Sequence, residues 1–543
     1  MQRVRLLCLC IPALLLTHEP VFSQTHHSGV KALGTVDFPI STDKPSTQQE
    51  FNKAMALLHS FWYYEAVKEF HQLTIRDPQC TMAYWGVAMS YFRLLWEPPS
   101  DEEIQKARNA LKAARHVGAK TEREQMYLDA IQAYYESADK DGHRAGLLAY
   151  ERAMEQLSEA FPEDQEAAIL YALALNATSL KTDKTYANNK KAGNILLSIF
   201  KRQPNHPGVA HYIIHSFDSA PLASEALPAA RIYAAIAPSV PHALHMPSHI
   251  FIRLGLYEEN IETNIVSARV ASEEVRKTNP GATSFDALHA YDYIVYGYLQ
   301  IGQHRRAKEV IDRIPSMIGF DKPNLAAAYA LAAMPARYIL ESSRWAEGIA
   351  LKPLPVSFPW ERYPWTEALI VFTRSVSAAR SGNSALARSE VERLQALRKA
   401  TEEKNDPYWV SQIDILRMSA EAWALFREGK QEEAEKMMRS SADLDDATDK
   451  HPVTPGSLIP AREMLGSLLL AMNQPAQALK EFEASLVTSS KRLNGLVGAA
   501  QAAEQSGDHE KAQAYCMNIV AQCKEGDRAL PQVEYARAAL TKK

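Results

Sequence analysis

The chain has 543 residues, 46% of them hydrophobic and 23% charged, a globular composition that excludes a disordered chain. Its net charge of -4 leaves no excess of either sign to draw it onto anionic lipid or nucleic acid, so no nucleic-acid partner is expected.

In chain order, the first element is "MQRVRLLCLCIPALLLTHEPVFSQ". Two arginines precede an apolar run from Leu6 to Leu16, and Ser23 offers a small residue for cleavage before Gln24. Residues 1–23 thus have the layout of a secretory signal peptide, and an apolar run of that length covers only about half a bilayer. The expectation is an exported chain, periplasmic or secreted, with no transmembrane segment once the leader is removed and a flexible stretch over 24–47. Cys80, Cys516 and Cys523 would remain, too few and too odd in number for a disulfide framework. On one helix Cys516 and Cys523 would stand about 10 Å apart, beyond disulfide reach. Stability is therefore expected to come from packing.

From 48 to 535, apolar residues recur at the three-and-four spacing of helices, with no sustained alternation of the kind that marks strands. The phrases "GLYEEN" (255–260), "GQHRRA" (302–307), "GNSALA" (382–387), "GKQEEA" (429–434), "NQPAQA" (473–478) and "GDHEKA" (507–512) each set a turn residue five positions before a small one. Each reads as a tight turn feeding a second helix. Ala66, Phe70 and Pro78, and again Ala226, Ala230 and Pro238, fall where a 34-residue helix pair has a small, an apolar and a proline residue. On these residues the chain resembles the tetratricopeptide repeat. That resemblance implies an all-α solenoid of helical hairpins, wound as a right-handed superhelix whose first helices line a concave groove. The proline-rich "LKPLPVSFPWERYPW" (351–365) interrupts the pattern and is predicted to separate an array over 48–350 from one over 366–535, with a tail over 536–543. Its tryptophans are expected to pack rather than to bind.

Two stretches carry the candidate chemistry: "HPGVAHYIIH" (206–215) and "HALHMPSH" (242–249). Seven of the chain's 17 histidines lie between 206 and 289, well above an even scatter. With Ala226 as repeat position 20, His211 and His215 take positions 5 and 9, and His245 and His249 take the same positions one 34-residue period later. Asp218 is then position 12 and His242 position 2. Counting from Ala307 makes His289 position 2, Asp292 position 5 and Tyr296 position 9. The resemblance implies that such positions face the groove.

Histidines four apart on a helix have Cβ atoms about 5–6 Å apart and can reach one ion together. The expectation is that His211, His215, His245 and His249 share a single transition-metal ion. His206, His242, His289, Asp218 and Asp292 are further candidate ligands, and Tyr296 is a groove contact. Imidazoles with a carboxylate suit zinc, copper, iron or nickel rather than calcium. Neither HYIIH nor HMPSH contains the glutamate of HExxH, so no zinc-protease assignment follows. If the chain is an enzyme, a metal-dependent hydrolase or an oxidoreductase is expected. Pro247 is expected to kink the second motif and turn His242 and His245 off the common face.

Two other readings compete: a metal-free groove that takes a peptide or protein, and a carbohydrate site that uses the groove's tyrosines for stacking. The order of motifs in "APSVPHALHMPSHIFIRLG" (237–255) and "ALHAYDYIVYGYLQIGQ" (287–303) is similar to that in a group of exported bacterial tetratricopeptide proteins, which implies the architecture and leaves the chemistry open.

Overall fold

The computed structural model describes residues 32–95, 98–404 and 406–541. The leader-like stretch and its cleavage point lie outside them. Among the described residues, regular structure is helical apart from one isolated bridge between Thr283 and Phe320. Successive helices pack on one another from Pro45–His59 to Pro531–Thr541, which makes the chain the all-α solenoid of helical hairpins that its periodicity predicts. None of these helices is long and apolar enough to cross a membrane. Cys80, Cys516 and Cys523 are buried and unbridged.

The helices are of two kinds, and the difference places the site. Pro207–Phe217 and Phe285–Gln300 are apolar on nearly every side and almost wholly buried. Their partners are amphipathic: His304–Ile311 buries only His304, Ala307 and Ile311. A helix without a polar face must be enclosed on all sides, so the first kind forms the inner wall and the second the outer. The recurring phrase explains the turns between them. Gly255, Gly302, Gly382, Gly429, Asn473 and Gly507 all have positive φ, and the small residue five positions on is buried in every case.

Three segments differ from the expectations. The described part of 24–47 is packed rather than flexible. Leu33, Val36 and Phe38 are buried, and the Phe38 ring meets those of Phe51 and Trp85 edge-on at 5.4 and 5.7 Å. Across 351–365, Leu325–Glu341 packs directly on Pro364–Arg380, so the stack runs through the interruption. Trp365 is a packing residue, as expected, with its ring 3.8 Å from that of Trp409. Finally, the connection over 448–460, between Gln431–Ala447 and Ala461–Ala471, runs inward and buries Val453, Thr454 and Leu458. It closes the inner wall over the histidines.

Candidate metal centre

The local sequence explains how the first motif is presented. Pro207 takes the first helical position, where its missing N–H costs nothing. His206 precedes it as N-cap, its Nδ1 accepting the Val209 N–H at 3.2 Å. In the second motif Pro247 does interrupt the helix, giving Pro241–His245 and Pro247–Arg253. The intervening Met246 keeps helical dihedrals, however, so the chain barely changes direction. His245 and His249 consequently stay on one face, with Nε2 atoms 3.0 Å apart.

The histidines form two triads instead of one shared site. His211 Nε2 lies 3.0 Å from His215 Nε2 and 3.1 Å from His242 Nε2. His245 and His249 are joined by His289, whose ring centroid is 4.3 Å from that of His245 and whose Nδ1 is buried without a hydrogen-bond partner. In each triad one ligand nitrogen per residue falls within 4.8 Å of the other two. An imidazole binds a metal at about 2.0–2.1 Å, so three around one ion stand about 3.3 Å apart, close to the spacing seen.

Both triads follow one rule: positions 5 and 9 of a repeat join position 2 of the next. The sequence period pairs His211 with His245 and His215 with His249 correctly. The four are not grouped around one point: the ligand atoms within 4.8 Å of one another are those of each pair with a third histidine from the following repeat. The triads are nonetheless neighbours, with the His215 and His249 rings 6.3 Å apart and those of His242 and His245 6.2 Å apart.

The outward nitrogens are held as a metal site needs. His211 Nδ1 hydrogen-bonds the His59 carbonyl at 2.7 Å, His245 Nδ1 the Asn264 Oδ1 at 2.7 Å, and His249 Nδ1 the Asp218 carboxylate at 3.0 Å. Each such bond fixes the tautomer that leaves an Nε2 lone pair pointing inward. Burial also lowers the pKa of all six imidazoles below the ordinary value; neighbouring imidazoles add to this in all but His249, where Asp218 opposes it and Lys450 and Arg253 add to it, so the imidazoles are neutral. His215 is partly exposed, and the other five are at most 9% exposed. Asn264→Ala should weaken metal binding at the second triad by about 10–100-fold and leave the first unchanged, measured by chelator competition.

Several expected ligands have other roles. Asp218 supports the site from outside: besides His249, it accepts from Arg253 Nε at 2.9 Å and Lys450 Nζ at 3.0 Å, and Lys450 ties the 448–460 segment to it. Burial would raise its pKa, but these two cations and the His249 bond hold it well below the usual carboxylate range. Asp292 is fully buried and faces Arg337 at 3.5 Å, with burial raising its carboxyl to about 6. Tyr296 is buried beside the Arg337 and Arg492 guanidinium groups, 5.0 and 5.8 Å from its ring, and contacts no open groove. The groove here is filled by the chain itself: Tyr293 lies 5.2 Å ring to ring from His249, and its single O–H is within reach of the Pro452 carbonyl at 3.1 Å, the Thr454 carbonyl at 3.2 Å and His249 Nε2 at 3.3 Å.

His206 belongs to a third cluster, with His59 and Glu166. There every polar atom has a protein partner. His206 Nε2 bonds Glu166 at 2.7 Å, and His59 bonds Glu166 at 3.0 Å and the Tyr212 hydroxyl at 3.0 Å. The ligand atoms of this cluster also fall within 4.8 Å of one another, as those of the triads do, and the network holds the His59 carbonyl against His211. His59, Glu166 and Asn264 lie outside the two motifs.

No protein-family model matches the chain, and no curated protein matches it. Among solved structures it is similar to a human IFIT1 dimer with m7Gppp-AAAA, at 11% identity and a TM-score of 0.37 over 89% of this chain and 96% of that one.

Proposed function

We propose that the chain is a dinuclear copper protein, with one ion on His211, His215 and His242 and a second on His245, His249 and His289. The observation that carries this reading is the convergence of neutral imidazole nitrogens in two adjacent sets, with the Nδ1 atoms of His211, His245 and His249 already bonded on the outward side. Imidazole suits zinc, copper, iron and nickel, and copper(II) tops the affinity order. Charge favours copper further. Neither triad includes a carboxylate, and the Arg253 and Lys450 cations outnumber the Asp218 anion beside them. Burying two divalent ions with no anionic ligand is costly, whereas copper can enter as a monovalent ion.

Two adjacent ions that each change charge by one can exchange two electrons with a small oxidant such as dioxygen. That places the chain nearer an oxidoreductase or dioxygen carrier than a hydrolase. The rival reading, a peptide held in the same groove, meets the 448–460 segment over the second triad. Export is part of this proposal and rests on the N-terminal stretch alone.

Elemental analysis of the purified chain tests the reading, with about two copper ions per chain expected. Two zinc ions would move the assignment to hydrolytic chemistry. A chain that holds no metal and takes up none on titration would end it.

A further inference from the structure

The turns between paired helices share one conformation, and one of them carries the wrong kind of residue. At Gly255, Gly302, Ser343, Gly382, Gly429, Asn473 and Gly507 the residue leaving the first helix has positive φ. The next N–H then bonds the carbonyl five residues back, as Leu256 does with Phe251 and Gln303 with Tyr298, both at 2.8 Å. Phe61 occupies the same place in "FWYYEA" (61–66), with φ 55 and the Trp62 N–H on the Leu57 carbonyl at 3.0 Å. Glycine and asparagine tolerate this region, and a bulky side chain is strained in it. Such strain persists where the surroundings demand that side chain.

What surrounds the ring is the first triad. Phe61 lies edge-on to His211 at 4.3 Å between centroids and stacks on His215 and His242 at 5.6 and 5.5 Å. It also stacks on Tyr63 at 5.2 Å. Phe61, Tyr63 and His242 line one wall of a cleft of about 760 Å³ that opens between the first hairpin and the 279–286 and 321–324 turns. Over the second triad, Tyr293 meets the 448–460 segment instead. A smaller pocket of about 30 Å³ reaches His215 past Lys181 and Asp449, with a polar lining suited to water.

We propose that this cleft is the substrate channel of the metal centre and that Phe61 is its inner filter, admitting molecules the size of dioxygen or azide to the first triad and stopping aromatic-sized ones. Phe61 is here a specificity-determining residue. The proposal rests on the metal reading above, and its test has one arm that does not.

In the copper-loaded chain, optical titration should show azide binding to wild type and 4-phenylimidazole not binding. Phe61→Gly suits the backbone conformation, so the fold is retained. It should bind 4-phenylimidazole at least about tenfold more tightly than wild type, and Phe61→Leu should fall between the two. In the metal-free chain, diethyl pyrocarbonate should modify His211 and His242 about tenfold faster in Phe61→Gly, with His245, His249 and His289 unchanged, as mapped by peptide mass. Equal 4-phenylimidazole affinity in wild type and Phe61→Gly, or equal modification rates at His211 and His242, would overturn the filter. A chain that takes no metal sinks the metal reading and leaves the modification rates to decide the role of Phe61.

Discussion

Replacing His211 with alanine is expected to remove one ion from the chain and leave the other. His211 Nε2 is the atom that both His215 and His242 approach, at 3.0 and 3.1 Å, so without it the first triad keeps two ligands on different helices. His245→Ala should do the same to the second triad. Each single variant should therefore retain about one ion per chain, and the double variant none. A single ion shared by His211, His215, His245 and His249 would instead be lost entirely in either single variant, so the stoichiometry distinguishes the two arrangements. Stability follows occupancy: a site filled at a hundred times its Kd stabilises the fold by about 2.7 kcal/mol, and each lost ion forfeits a contribution of that size. Calorimetry with and without added copper should show a full rise in Tm for wild type, a smaller one for each single variant and none for the double. His116 is exposed and remote from both triads, so His116→Ala should behave as wild type. His451 is no such control, because it lies in the segment that closes the site.

The second large effect is on stability rather than metal. Arg492, fully buried, joins the C-terminal hairpins to the inner wall. Its Nε donates to Glu463 at 2.8 Å and its Nη2 to Glu341 at 2.5 Å, while Gln300 accepts the next backbone N–H at 2.9 Å and Asn494 donates to Glu341 at 2.7 Å. Arg492→Ala leaves two buried carboxylates facing each other without a cation, and the expected loss is about 3–5 kcal/mol in denaturant unfolding.

The pH dependence has a definite sign. Burial already raises the Glu463 pKa, with Arg492 opposing it and Glu341 adding to it, so removing Arg492 raises it further. The folded variant then holds protons that the unfolded chain releases, and its stability falls as pH rises. The deficit relative to wild type should be largest near neutral pH and shrink toward about pH 5. Replacing Arg492, Glu341 and Glu463 together with apolar residues of similar volume should recover most of the loss. A single Arg492→Ala variant as stable as wild type would mean that the network is not what joins the hairpins.

The sequence by itself determined the elements and their repetition. Helical period, tight turns and small buried residues such as Ala226 and Ala307 are set within a few neighbouring residues, so they are legible wherever the phrase recurs. The equivalence of His211 with His245 and of His215 with His249 is likewise a property of the 34-residue period. Phe61 was within reach of the same logic, since "FWYYEA" fits the turn phrase with an aromatic residue where glycine usually stands.

Only the tertiary structure decided which histidines meet. That depends on how far each hairpin is shifted against the next, and the shift brings His242 and His289, at position 2, over the 5 and 9 pair of the preceding repeat. It also decided what surrounds them. Arg337, in the next inner helix, faces Asp292. Arg492, almost two hundred residues along the chain, sits beside Tyr296, and the 448–460 segment fills the groove that the repeat pattern alone leaves open. No local pattern carries these contacts, because the residues share neither a helix nor a repeat. They come together only because the solenoid winds tightly enough for its C-terminal half to close over its own inner wall.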